Sequence, residues 1–130
     1  MKSLLSAAVV LIAVAAPVQA AQIDWSKART IKVVTTEYQF YPAKLTFKSG
    51  VVYRLHIENH GKELHEFHAP ELFNSSDIED PSVLNVDKTE VQVPPGQAKD
   101  LIFVAHRRGH YRLFCPDHDW AGMVGAITVN

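Results

Sequence analysis

A cysteine, a histidine and a methionine lie close together near the end of the chain. Cys115, His118 and Met123 have the spacing Cys-x2-His-x4-Met, which fits on one short loop. Thiolate and thioether sulfur combined with imidazole favour copper, and two histidines, one cysteine and a weak axial methionine form the ligand set of blue-copper sites. The loop therefore predicts three ligands of a mononuclear copper site.

A second histidine ligand has to come from another part of the chain. His65 is the best candidate, because it begins a predicted strand after the connection formed by residues 59–64. A strand that starts beside a loop can hold a ring in a fixed position. The predicted ligands of one copper ion are His65, Cys115, His118 and Met123.

Three other interpretations of Cys115 stay open from the residues alone. Zinc is a rival metal, although it rarely recruits methionine and its structural sites generally use four Cys or His ligands. A Cys115–His118 nucleophile pair would have no use for Met123, and no third, orienting group is evident. A buried inert cysteine explains the lone thiol but not the complete pattern.

The N-terminus has the pattern of an export signal. Lys2 gives a short positive start, residues 4–16 are uncharged and mostly aliphatic, and Pro17 ends the run before small residues typical of a cleavage site. The apolar run is shorter than the roughly 20 residues needed to cross a bilayer. We therefore predict a cleaved signal peptide at residues 1–20 and a periplasmic protein without a stable membrane anchor. An uncleaved anchor is the alternative.

The charge balance bears on the class of partner. The chain has 13 basic and 14 acidic residues, a net charge of −1 with neutral histidines, and no basic stripe. We therefore expect no nucleic-acid partner. Residues 21–130 have the usual size of one domain and contain no repeat or long linker, so we predict a single copper-binding domain and a monomer.

Short strands separated by turns dominate residues 21–130. Apolar and polar residues alternate through 51–58, which is the period of a half-buried strand, and Pro94-Pro95-Gly96 is a strong turn signal. Residues 70–87 are acidic and predict a loop with about one helical turn. The predicted strands are 31–36, 38–48, 51–58, 90–93, 99–105, 109–115 and 126–129. This pattern predicts an all-β fold, an antiparallel β-sandwich.

Several motifs spread over the domain resemble the cupredoxins. They are Tyr38-x-Phe40-x-Pro42-x-x-Leu45-x-Phe47-x-x-Gly50, Asn59 before His65, Gly109-x-Tyr111-x-x-x-Cys115 and Met123-x-Gly125-x-Ile127-x-Val129. The ligand loop is similar to that of plastocyanin and pseudoazurin, and the chain looks like small bacterial periplasmic cupredoxin-domain proteins, some of them linked to copper tolerance. The resemblance implies a Greek-key β-sandwich with a type 1 copper at one end. It also implies no enzymatic turnover, because the extra Cys and His clusters of the copper enzymes are absent.

The resemblance further implies how the site would be used. His118 would be the electron port, with one ring edge at the surface among apolar residues such as Pro116, Trp120 and Ala121. Such a patch suits brief docking of a redox protein, for example a cytochrome or a copper enzyme. We therefore predict a one-electron carrier. The alternative is a copper-tolerance protein that binds or buffers periplasmic copper through the same site.

Two residues beside His65 carry separate hypotheses. Many cupredoxins have asparagine after the first histidine ligand, and this chain has Glu66. Its carboxyl group could accept backbone N–H bonds from the cysteine loop and, if ionised, would favour Cu(II). His68 is a candidate for a second, weak copper site together with a neighbouring group.

Overall fold

The computed structural model describes residues 13–17 and 20–130. The predicted signal peptide, residues 1–20, lies mostly outside the described residues, so its cleavage stays a prediction. No helix in the described part of the chain is long and apolar enough to cross a membrane.

Residues 20–130 form short strands joined by turns, as the sequence predicts. The strands are β1 (Arg29–Thr36), β2 (Gln39–Tyr41), β3 (Lys44–Phe47), β4 (Val52–Asn59), β5 (His65–His68), β6 (Ser76–Ile78), β7 (Glu90–Val93), β8 (Ala98–Ala105), β9 (Gly109–Phe114) and β10 (Val124–Val129). The helical turn predicted within residues 70–87 is α1 (Pro70–Asn74). Single 3-10 turns occur at Trp25–Lys27, Pro81–Val83 and Asp119–Ala121.

The strands form two five-stranded sheets, and the predicted β-sandwich is confirmed. One sheet has the order β2-β1-β4-β8-β6, and the other has the order β3-β10-β9-β5-β7. Two pairs, β1 with β4 and β3 with β10, are parallel, so the sandwich is not antiparallel throughout. The chain crosses between the sheets before β3 and again before β4, and each crossing sets a strand beside one of the same direction. Alternating burial reports which face of a strand is buried but carries no information on strand direction.

The single strand predicted over residues 38–48 is two strands in different sheets. β2 pairs with β1, whereas β3 pairs with β10. Pro42 lies between them, and proline has no N–H with which to continue a ladder of hydrogen bonds. The chain leaves the first sheet there and enters the second.

Aromatic and aliphatic side chains fill the space between the sheets. The Phe47 ring contacts those of Tyr53 and Phe103 edge-on, with centroids 5.0 and 5.1 Å away. Phe67 on β5 is buried and packs edge-on against Phe40, at 6.0 Å. Full burial of one such ring contributes about 1.5–3 kcal/mol. This core therefore fixes β5, which begins with His65.

Candidate metal centre

Three of the four predicted ligands converge at one end of the sandwich. One donor atom from each of His65, Cys115 and His118 lies within 4.8 Å of the other two. His118 Nδ1 is 3.4 Å from Cys115 Sγ, and the two imidazole rings have their centroids 5.1 Å apart. The exposed fractions are 1% for His65, 0% for Cys115 and 8% for His118. The donor atoms therefore meet in an environment almost without water.

Backbone hydrogen bonds fold the loop after β9 back on itself. The His118 N–H donates to the Cys115 carbonyl at 3.1 Å, and the Cys115 N–H donates to the Met123 carbonyl at 3.1 Å. Gly122 ends the turn with φ of 85°, a left-handed conformation that glycine adopts at little cost. Met123 is therefore held beside Cys115 with a buried side chain. Its sulfur as the fourth ligand stays a prediction.

The hydrogen bonding of His65 indicates a metal-binding group. Both ring nitrogens are buried and have no hydrogen-bond partner, although buried polar atoms are costly when unpaired. Burial, helped by nearby His118, lowers the pKa of His65 and favours the neutral ring that binds metals. Burial also raises the pKa of the Cys115 thiol to about 11. One soft sulfur and two imidazoles suit copper, which would satisfy the His65 nitrogen facing it.

Comparison with known proteins agrees with this geometry. The cupredoxin-like domain family matches residues 4–129. The chain belongs to the cupredoxin family. The copper-resistant cuproprotein CopI of Pseudomonas aeruginosa is 27% identical over 149 aligned positions, which cover 87% of this cupredoxin and 80% of CopI.

Two solved structures have the same fold as this cupredoxin. Auracyanin B superposes with a TM-score of 0.61 at 19% identity, covering 83% of this chain and 93% of its own. Auracyanin A, a "blue" copper protein from Chloroflexus aurantiacus, has a TM-score of 0.58 at 21% identity. The match covers 79% of this chain and 99% of auracyanin A. Cupredoxins bind one copper ion, and His65, Cys115 and His118 offer this cupredoxin a site for it.

Glu66 contacts the cysteine loop, which agrees with the hypothesis that its carboxyl group bonds to that loop. The thiol of Cys115 donates to Glu66 Oε2 at 3.3 Å, and the Asp117 N–H donates to the same oxygen at 3.4 Å. Burial raises the pKa of Glu66 above its ordinary value. The carboxyl group therefore ties β5 to the loop, the role that asparagine has in many cupredoxins.

The predicted apolar surround of His118 is only partly correct. Trp120 is 76% exposed, and Pro116 and Ala121 are also at the surface. The outer nitrogen of His118, Nε2, however, lies 2.6 Å from Oε2 of Glu63, and the Tyr38 ring stacks on the imidazole at 4.5 Å. A carboxylate and a phenol, rather than an apolar rim alone, therefore cover this edge of the ring.

Sequence reasoning missed three residues above the histidine ligands, namely Glu37, Tyr38 and Glu63. Tyr38 is part of the family motif, but its place beside His118 depends on the fold. Glu37 Oε1 accepts the backbone N–H groups of Lys62 and Glu63, which lower the pKa of Glu37. No spacing rule links these residues to the ligands, because they lie on two other loops.

His68 lies beside one other possible metal ligand, Glu90. His68 Nδ1 lies 2.9 Å from Glu90 Oε2, and the ring stacks on Phe114 at 4.6 Å. In residues 13–17 and 20–130, the group at His65, Cys115 and His118 is the only one with three such donors this close together. A second site here would have two protein ligands instead of three, and it stays a hypothesis.

Replacing Met123 with leucine tests the fourth ligand. The side chains have similar volumes, so the free energy of unfolding should fall by less than about 1.5 kcal/mol. The reduction potential of the copper-loaded protein should rise, because leucine cannot donate sulfur electron density to Cu(II). Voltammetry of both proteins measures this change. An unchanged potential and an unchanged EPR spectrum would place Met123 outside the coordination sphere.

Proposed function

We propose that this cupredoxin binds one copper ion in the periplasm and serves in copper tolerance. The ligands would be His65, Cys115, His118 and Met123. The observation that carries copper binding is the convergence of the Cys115 thiol and two imidazoles in a buried site where the His65 nitrogens make no hydrogen bond. Similarity to CopI, named as copper-resistant, supports the physiological role.

The residues of the site would hold copper without a large rearrangement. β5 supplies His65 from one side, and the loop after β9 supplies Cys115 and His118 from the other, both fixed by backbone hydrogen bonds. Copper bound here would have soft donors suited to Cu(I) and imidazoles suited to both oxidation states. Burial of the donors keeps water from competing for the metal. Four protein ligands would leave no position for a substrate, and we propose no enzymatic turnover.

One-electron transfer is the second candidate function. Exposed Trp120, together with Pro116 and Ala121, supports docking of a redox protein such as a cytochrome or a copper enzyme beside the ligand loop. The carboxylate on His118 Nε2 weighs against it, because it covers the ring edge that would face such a partner. We therefore place copper tolerance first. Export, a monomeric state and the absence of a nucleic-acid partner belong to the same proposal.

Deletion of the gene separates the two functions. We expect the deletion strain to grow poorly at elevated copper while its respiration is normal, because free periplasmic copper would rise. A plasmid with the natural gene should restore growth, and one encoding His65→Ala should not, because that change removes a ligand. Normal growth on copper combined with impaired respiration would instead support the electron carrier.

A further inference from the structure

Two loops meet above the copper end of the sandwich and bring two carboxylates to it. Glu37 lies in the turn between β1 and β2, and Glu63 lies in the connection between β4 and β5. Glu37 Oε1 accepts the N–H of Glu63 at 3.0 Å, and the Tyr38 hydroxyl donates to Glu63 Oε1 at 3.2 Å. The two acidic residues are therefore fixed by the opposite loop rather than free in solvent.

Each carboxylate faces a different histidine ligand, and in both cases the ring atom nearest to it is Nε2. Glu63 Oε2 lies 2.6 Å from His118 Nε2, and Glu37 Oε1 lies 3.4 Å from His65 Nε2. The other nitrogen of His118, Nδ1, points inward and lies 3.4 Å from Cys115 Sγ. A carboxylate beyond Nε2 favours the tautomer that carries its proton there and leaves Nδ1 free to bind a metal.

Gly61 allows the second of these contacts. A Cβ atom at this position would collide with the Glu37 carboxylate and would come within 2.9 Å of His65 Nε2. The Gly61 N–H is held by Asn59 Oδ1 at 2.8 Å, so the backbone has little freedom to move away. Glycine therefore lets the loop, the carboxylate and the imidazole pack directly on one another.

We propose that Glu37 and Glu63 are positioning residues for the two histidine ligands. Glu63 Oε2 lies close enough to Nε2 of His118 to accept its N–H, whereas Glu37 acts on His65 through its charge, 3.4 Å from Nε2. Each carboxylate thereby favours Nδ1 of its ring as the copper ligand and increases the basicity of the ring. This inference rests on the proposed copper function and goes beyond it. Loss of such outer hydrogen-bond partners typically costs 10–100-fold in metal affinity. Two anionic partners also favour Cu(II), so they help retain oxidised copper rather than release it.

The test compares Glu37→Gln, Glu63→Gln and Glu63→Ala with the natural protein. Copper(II) affinity is measured by competition with a chelator, and the reduction potential by voltammetry. The Glu37→Gln variant keeps an oxygen that can accept the N–H groups of the opposite loop, and the Glu63→Gln variant keeps one that can accept the Tyr38 hydroxyl, so the fold should persist. We expect about 10–100-fold weaker Cu(II) binding and a higher potential in each, with Glu63→Ala at least as strongly affected as Glu63→Gln.

Glu79→Gln is the matched control. Glu79 is exposed on the loop after β6. Its replacement removes the same charge, but at a position with no histidine ligand beside it. The Cu(II) affinity of this variant should stay within about twofold of that of the natural protein and its potential should be nearly unchanged, because salt largely screens a distant exposed charge. If the variants at Glu37 and Glu63 also stay within that range, the inference is wrong while the copper function stands. If the natural protein itself binds no copper, the proposed function fails.

Discussion

A Cys115→Ser variant is expected to lose the visible absorption of the copper-loaded protein and to bind copper more than about 100-fold more weakly. The effect should exceed the 10–100-fold typical of outer-shell changes, because a hydroxyl replaces the thiolate ligand itself. The visible band of a thiolate–Cu(II) site arises from charge transfer out of sulfur. Titration with Cu(II), followed by visible and EPR spectra, measures both effects.

Thermal and urea denaturation of the same two proteins provide the control. Serine is close in size to cysteine, and its hydroxyl can donate to Glu66 Oε2, the present partner of the thiol at 3.3 Å. The metal-free proteins should therefore have similar stabilities. With free copper about 1,000-fold above its Kd, the natural protein should gain about 4 kcal/mol, and the variant should gain far less. An unaltered copper spectrum in the variant would show that Cys115 is not a copper ligand.

An Asn59→Ala variant is expected to be less stable than the natural protein by about 2–4 kcal/mol, since three hydrogen bonds are lost. Asn59 is buried at the end of β4, and its Nδ2 donates to the carbonyls of Glu63 at 2.7 Å and Val93 at 2.8 Å. Its Oδ1 accepts the Gly61 N–H at 2.8 Å. Copper affinity should also fall, because these bonds shape the connection that leads into His65. Urea denaturation and copper titration measure the two effects.

Asn74→Ala is the control for this change. Asn74 is exposed at the end of α1, so its replacement should alter the free energy of unfolding by less than about 0.5 kcal/mol. Equal stability of the Asn59 and Asn74 variants would mean that the three bonds of Asn59 contribute nothing. Loss of stability with unchanged copper affinity would separate the shape of the connection from the geometry of the site.

Local sequence patterns predicted the class of fold but not the way its strands are paired. The alternation in residues 51–58 located β4 to within one residue at each end. In residues 38–48 the apolar positions are Tyr38 and Phe40 before Pro42 but Leu45 and Phe47 after it, which is a change of phase. This change and the proline both mark the passage from one sheet to the other, and the prediction of a single strand overlooked them. The parallel pairs depend on the crossings between sheets, and those crossings are properties of the whole chain.

The ligands were predictable because three of them are neighbours in sequence. Cys115, His118 and Met123 share one loop, and His65 could be placed by the strand it begins. Glu37 and Glu63 lie more than fifty residues before that loop. They reach the site through the register of the parallel β1–β4 pair, in which Thr35 lies opposite Asn59. That register sets the loops after the two strands side by side, and no local pattern specifies it.

The place of β10 inside its sheet has a consequence for the order in which the protein matures. β10 lies between β3 and β9, so the second sheet is interrupted until residues 124–129 have joined it. β9 leads directly into Cys115, and its partner β10 follows Met123. A chain still being synthesised, before these residues emerge, therefore lacks the framework that holds the thiol against His65. We therefore expect copper to be loaded after the domain is complete rather than during translation.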